Sequence, residues 1–404
     1  MWQKIKNIYH LLEGLIANLI YNFPSRNINI IGVTGTDGKT TTTHLIYHIL
    51  KENHYPVSMI STVYAKIGQK EYETGLHVTT PSSFMIQKFL YQAVKNKQKY
   101  FVLETTSHAL DQNRVFGVKY FIGIITNITH EHLDYHKKFD EYIKTKTKLL
   151  NQSHFAVVNT QDPVFQKIKK YITNKNLKII DYSKNQKNIK IKSTPAPFFD
   201  NYVAAYTVSR LLNIPHQKII AAMKTFQLPP GRLNVVFSKK FKVIIDFAHT
   251  PNAFQAVLPF IKERYLKNSG RLIHVFGCAG LRDKLKRGKM GKISSQYANL
   301  IIITEEDYRT ENIDMICQQI VSGIDKKKFI FKTAEEIKNN EDHIFTVIPD
   351  RYQAIKFAIK LAKDNDVILL TGKGHEKSLA RGKREYPWDE KKAVFKILKE
   401  LKYI

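Results

Sequence analysis

Runs of apolar and β-branched residues alternate with amphipathic segments along most of the chain. The runs lie at 28–33, 57–62, 100–103, 121–125, 156–160, 243–246, 272–277, 300–304 and 367–372. Unbroken apolar runs of this length are typical of parallel strands that helices cover on both faces. The pattern predicts an α/β fold, with a doubly wound parallel sheet followed by a Rossmann-like α/β series.

A Pro-Pro-Gly segment at 229–231 interrupts this alternation and predicts a hinge between domains. We therefore expect an N-terminal amphipathic helix at 1–27, a central nucleotide-binding domain at 28–230 and a C-terminal domain at 231–404. The apolar positions at 9–21 are too interrupted to span a membrane and lack a cleavage site. Such a helix either packs on its own domain or makes a weak contact with a membrane surface.

The segment 35–40, Gly-Thr-Asp-Gly-Lys-Thr, connects the first apolar run to a predicted helix. A glycine turn of this kind lets backbone N–H groups converge on phosphate oxygens, while Lys39 neutralises charge and Thr40 suits Mg²⁺. Val33 stands where the usual phosphate loop has its first glycine, so the motif is a shorter variant. The competing interpretation is a strand-to-helix turn that binds no ligand.

Polar residues follow the neighbouring predicted strands. Glu104 comes directly after the run at 100–103, and His132 follows the run at 121–125. The carboxyl ends of parallel strands meet at one edge of a sheet, so these side chains and Thr40 are candidate Mg²⁺ ligands close to the phosphates.

Composition limits the possible partners. The 404 residues carry a net charge of +29 and only two cysteines. The charge favours anionic ligands, but the lysines are spread along the whole chain and are not interleaved with aromatic residues in a stripe, so we expect no nucleic-acid partner. Two cysteines indicate no disulfide framework and fit a reducing, cytoplasmic setting.

Six segments in order resemble the signatures of the Mur ligase family, closest to its tripeptide-synthetase branch. They are 35–40, 104–114, 126–136, 246–251, 277–287 and 372–376. The resemblance implies an ATP- and Mg²⁺-dependent ligase, acting as a monomer, that forms an amide bond through an acyl phosphate and closes about the 229–231 hinge. The implied small-molecule substrates are a UDP-MurNAc-dipeptide-like acceptor and diaminopimelate or lysine.

The resemblance also implies roles for individual residues. ATP would contact Gly35, Thr36, Asp37, Gly38, Lys39, Thr40, Thr41, Asn201, Arg232, Asp246 and His249. The acceptor would contact Thr79, Thr80, Thr106, Gln112 and Arg114, and the incoming amino acid would contact Arg282, Asp307, Arg309, Gly372 and Glu376. Metal ligation and catalysis would involve Lys39, Thr40, Glu104, His132 and Lys146, the last as a carbamylated lysine.

Two departures from the family pattern bear on substrates. The phosphate-loop strand begins near residue 28, whereas these enzymes normally begin with a domain of about 100 residues that grips the UDP-sugar. We therefore expect the UDP end to lack its usual holder in this chain. Glu306-Asp307-Tyr308-Arg309 replaces the Asp-Asn-Pro-Arg of diaminopimelate enzymes. Arg309 suits a distal carboxylate and Asp307 a distal amine, which favours diaminopimelate over lysine.

Other functions remain open on the sequence alone. The chain could be a Mur-type ligase for another carboxylate, such as a lipid-linked precursor, folate polyglutamate or a polyamino acid. It could also be a weakly catalytic nucleotide-binding partner protein.

Overall fold

A computed structural model describes residues 2–74, 79–129, 133–191, 194–266 and 270–404. The chain divides into two compact units, 1–229 and 230–404. Each of the nine predicted apolar runs overlaps a strand. Two sheets rich in parallel strands confirm the predicted α/β class.

The first unit contains nine helices and eight strands within the described residues. They are α1 (Trp2–Ile20), β1 (Asn29–Thr34), α2 (Lys39–Glu52), β2 (Val57–Ile60), β3 (Ala65–Ile67), β4 (Lys70–Tyr72), α3 (Ser83–Lys95), β5 (Tyr100–Glu104), α4 (Ser107–Asp111), β6 (Tyr120–Ile125), α5 (Leu133–His136), α6 (Phe139–Asn151), β7 (Ser153–Val158), α7 (Phe165–Lys170), β8 (Lys178–Asp181), α8 (Phe199–Leu211) and α9 (His216–Thr225), with 3₁₀ turns at Pro24–Asn27, Ser183–Asn188 and Ala196–Phe198.

The sheet of the first unit has the strand order β4-β3-β2-β5-β1-β6-β7-β8. The six strands from β2 to β8 run parallel, and only the short β3 and β4 are antiparallel. Ile30 of β1 belongs to a buried cluster with α3 and α6, whereas its neighbour Ile31 is buried on the other face, where α2 packs against α8 and α9. Burial on both faces explains the unbroken apolar runs.

The second unit contains five helices and nine strands within the described residues. They are β9 (Asn234–Ser238), β10 (Lys242–Ile245), α10 (Pro251–Tyr265), β11 (Leu272–Phe276), α11 (Leu285–Tyr297), β12 (Leu300–Ile303), α12 (Ile313–Val321), β13 (Ile330–Phe331), β14 (Ile344–Val347), α13 (Arg351–Leu361), β15 (Val367–Leu370), β16 (Ser378–Arg381), β17 (Arg384–Pro387) and α14 (Glu390–Glu400).

The seven-stranded sheet of the second unit has the order β13-β14-β12-β11-β15-β10-β9, with β9 alone antiparallel. The strands β16 and β17 form a separate hairpin, which the hydrophobic pattern does not predict. None of the helices in the described ranges is long and apolar enough to cross a membrane.

A buried ion pair joins two helices of the second unit. Arg351 at the start of α13 and Glu390 at the start of α14 are both within 1 % of complete burial, and Arg351 Nε donates to Glu390 Oε2 at 2.9 Å. Trp388 Nε1 donates to the same carboxylate at 2.8 Å, and Arg351 Nη2 donates to the carbonyl of Thr371 at 2.8 Å. The carboxylate therefore depends on Arg351 for its only buried positive partner among these contacts.

We expect Arg351→Met to lower the free energy of unfolding of the second unit by about 3–5 kcal/mol, because it leaves an uncompensated charge in the interior. Lys356→Met is the matched control. Lys356 lies on the same helix as Arg351 and pairs with Glu400 of α14 at 2.8 Å on the protein surface. The loss of such a surface pair costs less than about 1 kcal/mol. Urea unfolding followed by circular dichroism measures both variants, and equal losses would contradict the expectation.

Candidate nucleotide and amino-acid sites

The loop 35–38 lies at the carboxyl edge of the first sheet, between the ends of β1 and β6. Its shape is held by Asn127, whose carbonyl accepts from Thr36 N and whose Oδ1 accepts from Asp37 N at 2.9 Å. Thr126 Oγ1 donates to the carbonyl of Asp37 at 2.7 Å. The residues after β6 therefore fix the loop before any ligand binds.

Gly38 has a positive φ of 78° and precedes the first residue of α2. A Cβ at this position would lie 2.1 Å from Asn201 Nδ2, so a side chain is excluded by space as well as by backbone conformation. Asn201, on α8, also contacts the carbonyl of Gly38 at 3.4 Å. The structure thus places the predicted ATP contact Asn201 directly against the loop.

Two lysines reach the same loop carbonyl. Lys39 Nζ donates to Gly35 O at 3.1 Å and to Thr36 O at 2.7 Å, and Lys146 Nζ donates to Gly35 O at 2.6 Å. Lys146 is 1 % exposed, and its ammonium lies 4.5 Å from the ring centroid of Tyr142. Two ammonium groups and a helix N-terminus create positive potential around the loop, which suits an anion.

Glu104 at the end of β5 is buried against the first turn of α2. Its Oε1 accepts from Thr40 Oγ1 at 2.9 Å and from Thr62 Oγ1 at 2.9 Å, and its Oε2 accepts from Thr62 N at 2.8 Å. Sequence reasoning identified Thr40 and Glu104 but missed Thr62. The available signal was its position just after β2, which neighbours β5 in the sheet.

The oxygen atoms of Thr40 and Glu104 fit a hard cation such as Mg²⁺, which takes hydroxyl, carboxylate and phosphate oxygens. They lie side by side at the base of the phosphate loop. His132 lies outside the described residues, and within those residues no three His, Cys, Asp or Glu side chains are grouped to hold a metal.

Three of the predicted acceptor contacts lie together beside Glu104. Thr80 Oγ1 donates to the carbonyl of Glu104 at 3.1 Å and accepts from Thr106 N at 3.0 Å. The Arg114 guanidinium donates to the carbonyl of Thr80, and burial lowers the pKa of Arg114. Thr79 is half-buried next to Thr80.

Gln112 contacts a different group in the same unit. Its Nε2 lies 3.4 Å from the hydroxyl of Tyr135, and that hydroxyl donates to Asp111 Oδ2 at 2.7 Å. The neighbouring His136 is buried, and desolvation lowers its pKa to about 4. The imidazole is therefore neutral at physiological pH, and Nε2 of His136 has no hydrogen-bond partner among the described residues.

At the start of the second unit, Asp246 orders the backbone around it. Its Oδ2 accepts from Leu233 N at 2.8 Å and its Oδ1 accepts from Ala248 N at 2.7 Å. Burial raises the pKa of Asp246, and the nearby Arg232 opposes the change. The Arg232 guanidinium lies 4.7 Å from the ring centroid of Phe247, and Lys286 Nζ donates to the carbonyl of His249 at 2.8 Å.

Two of the predicted amino-acid contacts, Asp307 and Glu376, lie in a charged cluster beyond the carboxyl ends of β12 and β15. Lys373, which is completely buried, lies 2.8 Å from Asp307 Oδ1 and 2.5 Å from Glu376 Oε2. Burial lowers the pKa of Lys373, but the carboxylates of Glu376 and Asp307 raise it by more, so the pKa is raised overall. Sequence reasoning assigned no role to Lys373, and its place within the 372–376 motif was the signal.

The backbone of Arg309 is clamped by the β16–β17 hairpin. Arg309 N donates to the carbonyl of Ala380 at 3.0 Å, and Gly382 N donates to the carbonyl of Arg309 at 2.7 Å. Arg309 holds a positive φ of 53°, and its Nη1 donates to the carbonyl of Gly280 at 3.0 Å. Arg282 is partly exposed and makes no hydrogen bond or ion pair among the described residues.

Gly372 leaves room for Glu306. A Cβ at Gly372, where φ is 102°, would lie 2.9 Å from Glu306 Oε2. Glu306 is buried, and desolvation raises the pKa of its carboxyl group. The absence of a side chain at Gly372 therefore leaves the space that the carboxyl group of Glu306 occupies.

The fold of a phosphate-loop α/β unit followed by a second parallel-sheet α/β unit matches solved structures of ligases. One of them, MurF ligase from Thermotoga maritima in complex with ADP, matches with a TM-score of 0.64 at 16 % identity, covering 96 % of this chain and 84 % of the other.

The chain belongs to the Mur ligase family. The family model for the Mur ligase middle domain matches residues 33–223, and the model for the Mur ligase, glutamate ligase domain matches residues 231–374. This family consists of ATP-dependent ligases, and the resemblance drawn from the six sequence segments is confirmed.

Two relatives match over nearly the whole chain. UDP-N-acetylmuramoyl-L-alanyl-D-glutamate--2,6-diaminopimelate ligase 1 of Clostridium acetobutylicum is 34 % identical over 410 residues, covering 94 % of this chain and 80 % of the relative. UDP-N-acetylmuramyl-tripeptide synthetase of Borrelia garinii subsp. bavariensis is 36 % identical over 410 residues, covering 94 % and 78 %. The relatives are thus ligases of peptidoglycan synthesis.

We expect Gly38→Ala to weaken ADP binding by at least about tenfold, the equivalent of 1.4 kcal/mol, because the new methyl group overlaps Asn201 and deforms the loop. Isothermal titration calorimetry measures the affinity. Gly68→Ala is the control: Gly68 has a φ of 59°, but the nearest atom to its Cβ position is 3.5 Å away. An equal loss in both variants would indicate general backbone strain and contradict a specific role for the loop.

Proposed function

We propose that this chain is an ATP- and Mg²⁺-dependent ligase that joins diaminopimelate to the D-Glu carboxylate of a UDP-MurNAc-L-Ala-D-Glu acceptor. The observation that carries the proposal is the buried Thr40–Glu104 pair beneath a loop that two lysines approach. The diaminopimelate ligase from Clostridium acetobutylicum supports the choice of substrates.

In this proposal the loop 35–38 and Lys39 hold the phosphates of ATP. The Lys39 ammonium donates to the loop carbonyls of Gly35 and Thr36, and it would donate to phosphate oxygens when ATP binds. Thr40 and Glu104 would hold one Mg²⁺ and His132 would hold a second, and such ions would supply positive charge near the transferring phosphoryl group. The other nucleotide contacts in this proposal are those predicted from the sequence, namely Thr41, Asn201, Arg232, Asp246 and His249.

The reaction begins when an oxygen of the acceptor carboxylate attacks the γ-phosphorus of ATP, the bond to the bridging oxygen breaks and ADP leaves. The amine of diaminopimelate then attacks the acyl carbon, loses a proton, and the C–O bond to phosphate breaks. The products are an amide, ADP and phosphate. Thr80, Thr106 and Arg114 lie beside Glu104 and position the acceptor carboxylate. Thr79, next to Thr80, and Gln112, which contacts Tyr135, are the remaining predicted acceptor contacts.

Lys146 is the residue that we propose to be carbamylated. Its Nζ lies 2.6 Å from Gly35 O in a nearly water-free position beside Tyr142. After the ammonium loses a proton, the neutral amine would add CO₂ and release a second proton. The product is an anionic carbamate with oxygen ligands, and its formation would relieve the approach of two ammonium groups to one carbonyl. Native mass spectrometry in bicarbonate buffer detects the adduct without reference to activity.

The second unit favours diaminopimelate over lysine in this proposal. The Asp307 carboxylate pairs with Lys373 at 2.8 Å and accepts from Ala380 N at 3.0 Å. Its negative charge is therefore largely compensated within the protein. Arg309 is 24 % exposed and lies 3.8 Å from the other Asp307 oxygen. Arg309 therefore supplies positive charge for a distal carboxylate, with Arg282, Gly372 and Glu376 as the remaining contacts.

The setting we propose is a monomer in the cytoplasm. The two cysteines, Cys278 and Cys317, are both buried and unpaired, and burial raises the pKa of each thiol to about 12. Protonated buried thiols do not require an oxidising compartment.

The first test is phosphate release from ATP and Mg²⁺ with UDP-MurNAc-L-Ala-D-Glu and diaminopimelate. We expect release to require both substrates and to fall by at least about a hundredfold in Lys39→Ala, because an electrostatic contact in the transition state is lost. Lys51→Ala is the matched control, since Lys51 is an exposed lysine at the far end of the same helix.

Release without dependence on the amino acid would contradict the ligase proposal. Phosphate release that requires another carboxylate, such as a lipid-linked precursor or folate polyglutamate, would agree with the proposed ligase reaction but contradict the proposed acceptor.

The second test concerns the amino acid. We expect Arg309→Gln to raise KM for diaminopimelate by at least about tenfold while kcat changes little, because a charge-assisted bond to the distal carboxylate, worth about 1.5–3 kcal/mol, is removed. The KM for lysine, which lacks that carboxylate, should stay unchanged. Arg384→Gln, at an exposed hairpin position, is the control. Equal effects on both amino acids would contradict the assignment of Arg309.

A further inference from the structure

Thr62 lies two residues beyond the end of β2 and bonds twice to the Glu104 carboxylate. Its hydroxyl donates to Oε1 at 2.9 Å, and its backbone N donates to Oε2 at 2.8 Å. Thr40 Oγ1 supplies a third bond, to Oε1 at 2.9 Å. Within the described residues, Thr62 therefore provides two of the three hydrogen bonds that fix this carboxylate.

The arrangement of these bonds leaves room for a cation on Glu104. An ionised carboxylate has about four lone-pair positions. Two donors approach Oε1 and one donor approaches Oε2, so one position on Oε2 stays available in the described part of the chain. Because Glu104 is 1 % exposed, the bonds from Thr62 and Thr40, and not bulk water, determine how the carboxylate is oriented.

A hydrogen-bonded turn holds Thr62 in this position. Ser61 N donates to the carbonyl of Tyr64 at 3.0 Å, and Ser61 Oγ donates to the same carbonyl at 2.9 Å. Val63 N donates to Ser61 Oγ at 3.2 Å. Thr74 Oγ1 donates to the carbonyl of Thr62 at 3.3 Å. The turn is therefore ordered by its own bonds before any ligand binds.

The turn is also attached to the helix that carries Thr40. His44 lies four residues after Thr40, one turn further along α2. His44 Nε2 donates to Ser61 Oγ at 2.9 Å, since the Ser61 hydroxyl donates its own proton to the Tyr64 carbonyl. The rings of His44 and Tyr64 meet edge to face, with 5.1 Å between their centroids. A closed ring of contacts therefore joins the end of β5, the turn after β2 and the start of α2.

We propose that Thr62 is a positioning residue for Mg²⁺, because it holds the Glu104 carboxylate in the orientation in which that group would bind the ion. The inference rests on the proposed nucleotide and Mg²⁺ site, and it assigns Thr62 no contact of its own with either ligand. Groups that bond to a metal-binding side chain from outside the coordination shell typically change metal affinity by about 10- to 100-fold. Removal of the Thr62 hydroxyl should have an effect in this range.

The first unit contains a second threonine with the same pattern of bonds, which provides a matched control. Thr160, just after β7, donates from N to Asp181 Oδ1 at 3.2 Å and from Oγ1 to Asp181 Oδ2 at 2.6 Å. Thr160 and Thr62 are both half-buried. Asp181 ends β8, the edge strand three places from β1 in the sheet. Thr160→Val therefore removes the same kind of bond from a carboxylate that has no part in the proposed Mg²⁺ site.

The experiment is isothermal titration of ADP into the full chain at a series of Mg²⁺ concentrations and in EDTA. We expect Thr62→Val to raise the Mg²⁺ concentration that gives half of the maximal gain in ADP affinity by at least about tenfold. The ADP affinity in EDTA should stay unchanged, because the phosphate loop keeps its contacts. A residue that only stabilises the fold would not change the Mg²⁺ dependence of folded protein.

Two further variants at the same position separate the hydroxyl from the shape of the side chain. Thr62→Ser keeps the hydroxyl and should behave like the original chain. Thr62→Ala removes the hydroxyl without placing a methyl group against the carboxylate, and it should give the same shift as Thr62→Val. Circular dichroism melting shows which variants fold, and Thr62→Ala provides the test if Thr62→Val does not.

Three results would overturn the inference and leave the proposed Mg²⁺ site intact. They are an unchanged Mg²⁺ dependence in the folded Thr62 variants that lack the hydroxyl, an equal shift in Thr160→Val, and an equal loss of ADP affinity with Mg²⁺ and in EDTA. Failure of the proposed function gives a different result, because the ADP affinity of the original chain would then not respond to Mg²⁺. That result would contradict the Mg²⁺ site and the inference together.

Discussion

The side-by-side termination of three parallel strands is the constraint on which the candidate active site depends. The strands β5, β1 and β6 are neighbours, and each ends in polar residues at the same edge of the sheet. This arrangement brings Glu104 within 2.9 Å of Thr40 and places the Asn127 side chain within 2.9 Å of Asp37 N. A change in strand order would separate these residues even if each strand kept its sequence.

The second unit uses the same principle with a different distribution of charge. Its strand ends carry a buried lysine between two carboxylates, and a completely buried Arg351–Glu390 pair ties α13 to α14 behind them. A buried ion pair contributes little net free energy compared with an apolar packing of equal volume, but it is costly to break. The cluster thus limits which positions at this edge can change independently.

The hydrophobic pattern predicted the central parallel strands of both sheets, because burial on both faces leaves an unbroken apolar run in the sequence. It missed β8 and β14 among the parallel strands, and also β3, β4, β9, β13 and the β16–β17 hairpin, since runs of two to five residues carry little periodic signal. The pairing of Thr40 with Glu104 followed from adjacent strand ends. The hydrogen bonds from Thr62 to Glu104 were missed, because the position of Thr62 just after β2 becomes informative only once β2 is known to neighbour β5. The pairing of Lys373 with Asp307 joins residues 66 positions apart, and nothing local in the sequence indicates it.

The hairpin formed by β16 and β17 holds Arg309 through main-chain atoms alone. Arg309 N bonds to the carbonyl of Ala380, and Gly382 N bonds back to the carbonyl of Arg309. Side chains at the exposed hairpin positions contribute nothing to these two bonds. During evolution, the composition of this hairpin can therefore drift without altering the residue it holds, whereas insertion or deletion of one amino acid would shift the register and redirect Arg309. These two bonds therefore constrain the length of the hairpin more than its composition.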